Sequence, residues 1–130
     1  MSHPIIIPVP GLPTANPTYS HAVRWGETIY ISGQLGIDPA TGRLVEGGQV
    51  REYRQALNNL AAILRAAGSS LKSVVKTTIY MTDISQLAEL NKIYAEFFPE
   101  SPPAKTGVEV SGLALGAKIE IEAMAALEKK

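Results

Sequence analysis

The clearest pattern in the sequence is the alternation of apolar and polar positions between residues 118 and 127. Side chains two residues apart point to the same face of a strand, so this period predicts a strand with one buried face. Short stretches rich in β-branched residues predict further strands at 74–81 and about 106–110. Residues 21–32 predict two short strands with a break at Gly26 and Glu27, and Ile29 and Ile31 share one face of the second.

Two other segments have the period of an amphipathic helix. The first covers residues 49–67, with Gly68 as a suitable C-cap, and the second runs from about residue 85 until Pro99 ends it. The apolar stripe consists of Tyr53, Leu57, Leu60, Ala61, Leu64 and Ala67 in the first helix, and of Leu87, Leu90, Tyr94, Phe97 and Phe98 in the second.

Proline and glycine indicate where the connections lie. Residues 1–17 contain five of the nine prolines, which predicts an extended N-terminal arm, because proline fixes φ and lacks a donor. The run Asp-Pro-Ala-Thr-Gly at 38–42 predicts a turn. Residues 33–36 (Gly-Gln-Leu-Gly) precede no helix, so they are predicted to form a turn and not a phosphate-binding loop.

The order of these elements predicts the fold class. Two amphipathic helices need a sheet face to pack against, so we expect an α+β fold, a two-layer sandwich formed by one domain over residues 1–130. Thr28, Tyr30, Tyr80 and Met124 fall on the other sheet face, which is too apolar for a surface fully exposed to water. We therefore expect that face to pack against other copies of the chain, although isolated apolar surface residues are common.

Composition excludes several classes of function. Twelve basic and twelve acidic residues balance, so the chain lacks the basic excess typical of proteins that bind nucleic acids. There is no cysteine, and His3 and His21 alone cannot form a multi-histidine metal site. No apolar run approaches the ~20 residues that span a bilayer, and the N-terminal region resembles no targeting signal, so we expect a cytoplasmic protein.

A few residues are candidates for chemistry. Glu120 and Glu122 share a strand face, where they could simply be solvated, or where one could act as a general base toward water. Lys105 could be an ordinary surface lysine or a cationic anchor. Tyr19 and Ser32 could pack or cap, or could donate hydrogen bonds to a ligand, and His21 is expected on a strand surface.

Six segments, in the right order and at the right spacing, resemble the RidA/YjgF family of reactive-intermediate deaminases. They cover nearly the whole chain and lie at residues 17–23, 30–34, 75–83, 91–98, 103–110 and 119–123. The resemblance implies a chorismate-mutase-like mixed sheet with two helices on one face. It also implies a homotrimer with a central barrel and three clefts between subunits.

The resemblance further implies hydrolysis of 2-imino or 2-enamino acids to 2-keto acids and ammonia, without a cofactor or a metal. Family members grip the substrate carboxylate with an arginine and position a water with a glutamate. By position, Glu120 would be the catalytic residue here, and Lys105, Tyr19, Ser32 and Gly33 would bind the substrate.

This sequence departs from the family pattern at two positions, where Lys105 replaces the arginine and Gly107 the frequent cysteine. Lysine keeps the charge but lacks the planar fork that matches a carboxylate, which suggests a substrate with additional anchoring groups, such as a dicarboxylic enamine. Two alternatives stand beside the deaminase: a non-catalytic trimer that binds small carboxylates, and a ribonuclease or translation inhibitor, which the zero net charge disfavours.

Overall fold

Six strands form one mixed sheet in the computed structural model, which describes residues 3–12 and 17–128. Their order across the sheet is β1-β2-β3-β8-β6-β7, and all neighbours are antiparallel except β6 and β7. The strands of the sheet are β1 (Ile5–Ile6), β2 (Ala22–Trp25), β3 (Thr28–Leu35), β6 (Val74–Met81), β7 (Ala104–Glu109) and β8 (Ile119–Ala126). The predicted N-terminal arm lies partly outside the described residues, and Ile5 and Ile6 within it pair with β2.

The turn predicted at 38–42 connects a separate small hairpin, β4 (Ile37–Asp38) and β5 (Arg43–Leu44). The backbone N–H of Ala40 donates to Asp38 Oδ1 at 2.8 Å, and Gly42 N–H donates to the Asp38 carbonyl at the same distance. Gly42 has a φ of 73°, a conformation that a residue without Cβ adopts readily. The residue types that predicted this turn therefore form it.

Two helices cover one face of the sheet: α1 (Gln49–Ala66) and α2 (Leu87–Phe97). The predicted stripe of α1 is buried except for the half-buried Ala61, and it packs on the alternating apolar residues of β3, β6 and β8. Leu90 and Tyr94 of α2 join the same core, where Tyr94 Oη and Thr77 Oγ1 lie 2.7 Å apart. The predicted α+β sandwich is confirmed. Neither of these helices is long and apolar enough to cross a membrane within the described chain.

Some predicted boundaries differ from the structure. The second helix begins at Leu87, after a 3-10 turn at Ile84–Gln86, because the Asp83 side chain accepts from Ser85 N–H and holds the chain in a tighter turn. Leu87, predicted on the apolar stripe, is consequently exposed. Strand β7 starts at Ala104, two residues earlier than predicted. The residue directly after Pro102 and Pro103 already pairs with β6.

The prediction of a turn at residues 33–36 is wrong. Residues 33–35 belong to β3, which continues past an irregularity where Ile31 pairs with Ala123 but Gln34 pairs with Ile121. Two residues of β3, Ser32 and Gly33, thus lie opposite one residue of β8, Glu122, and form a bulge. The extra residue shifts the alternation of β3, and Gln34 is buried as a result. Glycine marks a bulged strand here and not a turn.

The opposite face of the sheet carries large exposed side chains. Tyr30 of β3 and Met124 of β8 are 42% and 38% exposed, and Val75 of β6 is 55% exposed. The pattern of β8 is otherwise as predicted, with each odd position buried from Ile119 to Ala125. The expected apolar open face is therefore present, while its packing against other copies stays a prediction.

Gln49, the first residue of α1, fastens this helix to the loop between β6 and α2. Its Nε2 donates to the Asp83 carbonyl at 3.0 Å and to Gln86 Oε1 at 2.7 Å. Its Oε1 accepts from the backbone N–H groups of Thr82 and Asp83 at 3.1 and 3.2 Å. Gln49 is 4% exposed, and removing its amide takes this partner from Asp83 N–H, whereas Thr82 N–H keeps the Lys118 carbonyl at 2.9 Å.

We expect Gln49→Ala to lower the free energy of unfolding by ~1–3 kcal/mol, because the four hydrogen bonds of a buried amide are lost. Asn58→Ala, in an exposed position of the same helix, is the matched control and should change stability by less than ~0.5 kcal/mol. Both are measured by urea denaturation at one protein concentration. Equal stability of the two variants would contradict the role assigned to Gln49.

Candidate active site

A cleft of about 560 Å³ opens where the bulge of β3 faces the start of β8. Four of the five residues predicted for the site, Tyr19, Ser32, Gly33 and Glu120, line this cleft. Its other lining residues are Leu12, His21, Gln34, Leu35, Ile37, Asn59, Ala114 and Leu115. The cleft thus combines one carboxylate with hydroxyl, imidazole and amide groups and a set of aliphatic side chains.

The carboxylate of Glu120 lies directly against the backbone of Gly33. A Cβ at position 33 would fall 2.6 Å from Glu120 Cδ and closer still to its Oε2. The backbone of Gly33 does not have a positive φ, so close approach and not conformation is the reason that glycine is needed here. The bulge places Gly33 beside Glu120, and the missing side chain leaves room for the carboxylate.

Hydrogen bonds fix the wall of the cleft around the bulge. Ser32 Oγ donates to the Ser20 carbonyl at 2.6 Å, which ties β3 to the segment before β2. Gln34 Nε2 donates to the Ser32 carbonyl at 3.0 Å and lies 3.5 Å from His21 Nδ1. The His21 ring meets the Tyr19 ring edge-on, with centroids 6.1 Å apart. The cleft wall is therefore ordered by its own contacts.

Burial, and secondly the charge of Glu122, raise the pKa of Glu120 above that of an ordinary glutamate. The two carboxylates share one face of β8, as predicted. Glu122 Oε1 accepts a hydrogen bond from Tyr80 Oη at 3.1 Å, and burial together with this bond raises the pKa of Tyr80. A carboxylate with a raised pKa is a stronger base than usual, which suits proton transfer from water near neutral pH.

Lys105, the fifth predicted residue, does not reach this cleft within one chain. It lies on the edge strand β7, and β6 separates that strand from β8, which carries Glu120. The Lys105 Nζ donates to Asn91 Oδ1 at 2.5 Å and lies 4.6 Å from the centre of the Tyr94 ring. Partial burial lowers the pKa of this ammonium. The side chain is held in one orientation at the edge of the sheet.

The sequence reasoning missed several residues of the cleft. Gln34 was hidden by the wrongly predicted turn, and His21, expected on a strand surface, lines the cleft just before β2. Asn59 donates to the carbonyls of Leu35 and Ile37, so a helix residue borders the site. Leu115 had one sequence signal, since it is a large apolar residue in a glycine-rich loop.

Among residues 3–12 and 17–128, no group of three or more His, Asp or Glu side chains is arranged to hold a metal ion. The chemistry that these residues offer is that of a half-buried carboxylate next to hydroxyl, imidazole and amide groups. Such a site can accept a proton from a bound water and orient a small polar molecule.

Comparison with known proteins identifies the family. The family model described as Endoribonuclease L-PSP matches residues 11–127. A mouse protein named 2-iminobutanoate/2-iminopropanoate deaminase is 48% identical over 113 residues, which cover 87% of this chain and 84% of that protein. The human protein of the same name is 47% identical, with 87% and 82% covered.

Solved structures agree with this result. The crystal structure of YyfA from Yersinia pestis, a protein of the conserved Rid family, superposes with a TM-score of 0.90 at 40% identity, covering 95% of this chain and 99% of that one. Escherichia coli TdcF, solved with bound serine, gives a TM-score of 0.88 at 32% identity, with 95% and 98% covered. The chain belongs to the endoribonuclease L-PSP family, which confirms the RidA/YjgF resemblance and supports the expected class of enzyme.

We expect Gly33→Ala to displace the Glu120 carboxylate, because the new methyl group would occupy its position. The pKa of Glu120, followed by carbon NMR of its carboxyl group, should then move away from its parent value. Gly112→Ala is the matched control, since a Cβ there meets no atom within 4 Å and the residue has no positive φ. An unchanged Glu120 signal in Gly33→Ala would contradict the contact.

Removing the charge of Glu122 should lower the pKa of Glu120. In Glu122→Gln the amide oxygen still accepts from Tyr80, but the like charge that disfavours the Glu120 carboxylate is gone. The pKa should remain above the ordinary value, because burial is the larger cause. Glu120 would therefore ionise at lower pH than in the parent, as measured by the same NMR titration. Glu100→Gln, an exposed carboxylate after α2, serves as control.

Proposed function

We propose that this chain is a hydrolytic deaminase that converts 2-imino acids, and the enamines from which they form, into 2-keto acids and ammonia. The observation that carries this proposal is the half-buried Glu120 carboxylate in the cleft, held against Gly33 and with a raised pKa. The names of the mouse and human relatives support the same class of substrate. An imine is already an activated electrophile, so the reaction proposed here needs no cofactor.

In the proposed reaction, Glu120 takes a proton from a water while the water oxygen bonds to C2 of the imine. The π-electron pair of the C=N bond moves to nitrogen, and a tetrahedral carbinolamine forms. The protonated Glu120 then gives its proton to this nitrogen. Glu120, again a carboxylate, takes the proton of the C2 hydroxyl and passes it to the nitrogen as the C–N bond breaks, so the hydroxyl becomes a carbonyl and the 2-keto acid and ammonia are released. The raised pKa of Glu120 suits both directions of proton transfer.

The substrate carboxylate needs a cation, and the described lining residues of the cleft in one chain include no lysine or arginine. We propose that Lys105 of a neighbouring copy supplies it, in a homotrimer with clefts between subunits. Its position at the sheet edge and its fixed orientation on Asn91 and Tyr94 support this role. The large apolar residues on the open sheet face, Tyr30 and Met124, support association of copies.

An ammonium holds a carboxylate less firmly than a guanidinium does. Lys105 already gives one of its donors to Asn91, so at most two remain for a substrate. Losing one charge-assisted hydrogen bond costs ~1.5–3 kcal/mol, or roughly 10- to 100-fold in affinity. We therefore propose that the preferred substrate is anchored by more than its carboxylate.

The decisive variant is Glu120→Gln, which keeps the shape of the side chain but cannot accept a proton. Imines are generated in situ by an amino-acid oxidase, and their loss is followed by trapping with semicarbazide. We expect the hydrolysis rate to fall by ~10²- to 10⁴-fold, the usual contribution of a general base. Glu100→Gln should retain the parent rate. Equal rates for Glu120→Gln and the parent would refute the mechanism.

Mixing two inactive variants tests whether the cleft is shared between copies. Glu120→Gln and Lys105→Ala should each be inactive alone, whereas coexpression gives mixed trimers in which about one quarter of the clefts combine native Glu120 with native Lys105. Recovery of about that fraction of parent activity supports a shared site. If the parent binds a 2-keto acid in calorimetry but hydrolyses no imine, the chain is a carboxylate-binding protein and not a deaminase.

A further inference from the structure

Leu115 has an unusual position and backbone conformation for a leucine. It is 74% exposed, more than any other large apolar residue of the described chain. Its backbone has φ 60° and ψ 17°, the left-handed region that is unfavourable for residues with a large side chain. The residue lies in the 3-10 turn Ala114–Gly116, which ends two residues before β8 begins. An exposed aliphatic side chain on an unfavourable backbone needs an explanation beyond stability of the fold.

The side chain of Leu115 lines the same cleft as Glu120. Ala114 beside it, and Leu35 and Ile37 from the end of β3 and from β4, also contribute aliphatic surface to this cleft. Within one chain, polar groups of the cleft cluster around the bulge, at Ser32 and Gln34. Residues 114 and 115 form an apolar wall of the same cleft. The cleft volume of about 560 Å³ lies within the range of small-molecule sites.

We propose that Leu115 determines substrate specificity by contacting the aliphatic side chain of a 2-imino acid, one longer than the methyl or ethyl groups named for the mammalian relatives. This inference rests on the proposed function, and it names the additional anchor that the weak grip of Lys105 calls for. Each methylene buried against Leu115 strengthens binding by about fourfold. A second carboxylate would instead lose its hydration against this surface without gaining a cation.

The test compares three imines, generated in situ from alanine, leucine and aspartate, in the parent and in Leu115→Asn. Asparagine is close to leucine in shape and tolerates a positive φ, so this variant should fold. We expect the parent to prefer the leucine-derived imine, which has three more side-chain carbons, to the alanine-derived one by ~10- to 60-fold in kcat/KM, depending on how many of those carbons are buried, and the variant to lose that preference. The alanine-derived imine should change by less than ~2-fold. Ile84→Asn, which alters an exposed aliphatic residue outside the cleft, should change neither value.

Binding of the 2-keto acid products, measured without catalysis, separates this inference from the proposed function. Calorimetry compares pyruvate, 4-methyl-2-oxopentanoate and oxaloacetate. If no imine is hydrolysed, but the parent binds 4-methyl-2-oxopentanoate most tightly and Leu115→Asn does not, the deaminase proposal fails and the role of Leu115 stands.

Three results would overturn the role of Leu115, whether or not imines are hydrolysed. The first is an equal loss for all three ligands in Leu115→Asn. The second is a preference of the parent for the dicarboxylic ligands, or no preference at all. The third is a change in the molecular mass of Leu115→Asn on size-exclusion chromatography with light scattering, since Leu115 would then be a packing residue between copies.

Discussion

The whole site depends on one extra residue in β3, where Ser32 and Gly33 oppose a shorter stretch of β8. The bulge ends the alternation of buried apolar residues to which Ile29 and Ile31 belong. It places the side-chain amide of Gln34 on the buried face. It also brings a residue without a side chain against Glu120. A regular strand would have continued the packing face, with no cleft at this point. The bulge therefore interrupts the regular pairing of β3 with β8 and leaves the Glu120 carboxylate half-buried in a defined position.

Helix α1 supplies the polar groups that make this irregular sheet end stable. Gln49 pairs with the loop after β6, and the Glu52 carboxylate accepts from Lys118 N–H at 2.8 Å just before β8. Asn59 donates to two carbonyls at the end of β3 and in β4. All three side chains are buried, and each one hydrogen-bonds to backbone groups of a neighbouring segment. Gly36 permits the close approach, since a Cβ there would lie 2.5 Å from the Glu52 carbonyl oxygen.

The charges of the site are divided between distant parts of the fold. Two carboxylates lie on β8, and burial together with their mutual repulsion favours the protonated form of Glu120. The cation that would balance a bound anion lies on β7, where Asn91 and Tyr94 hold it in place. Within one chain, the proposed general base on β8 and the proposed carboxylate-binding cation on β7 are therefore separated by β6. That separation is the physical reason to expect the complete cleft between copies.

Hydrophobic periodicity predicted both helices and β8, because burial of an apolar face requires a matching period, and β-branched residues predicted β6. Together these elements predicted the sandwich. Periodicity also indicated Glu120 and Glu122 on one face. The residues themselves made Lys105, Tyr19 and Ser32 candidates, and the resemblance added Gly33 and a role for each. The turn predicted at residues 33–36 failed, because glycine serves turns and bulges equally and only the pairing partner distinguishes them. The contact of Gly33 with Glu120, the position of Leu115 in the cleft and the distance of Lys105 from it were decided by the tertiary structure alone. These features join segments far apart in the chain, and their geometry follows from strand register, which local residue patterns do not determine.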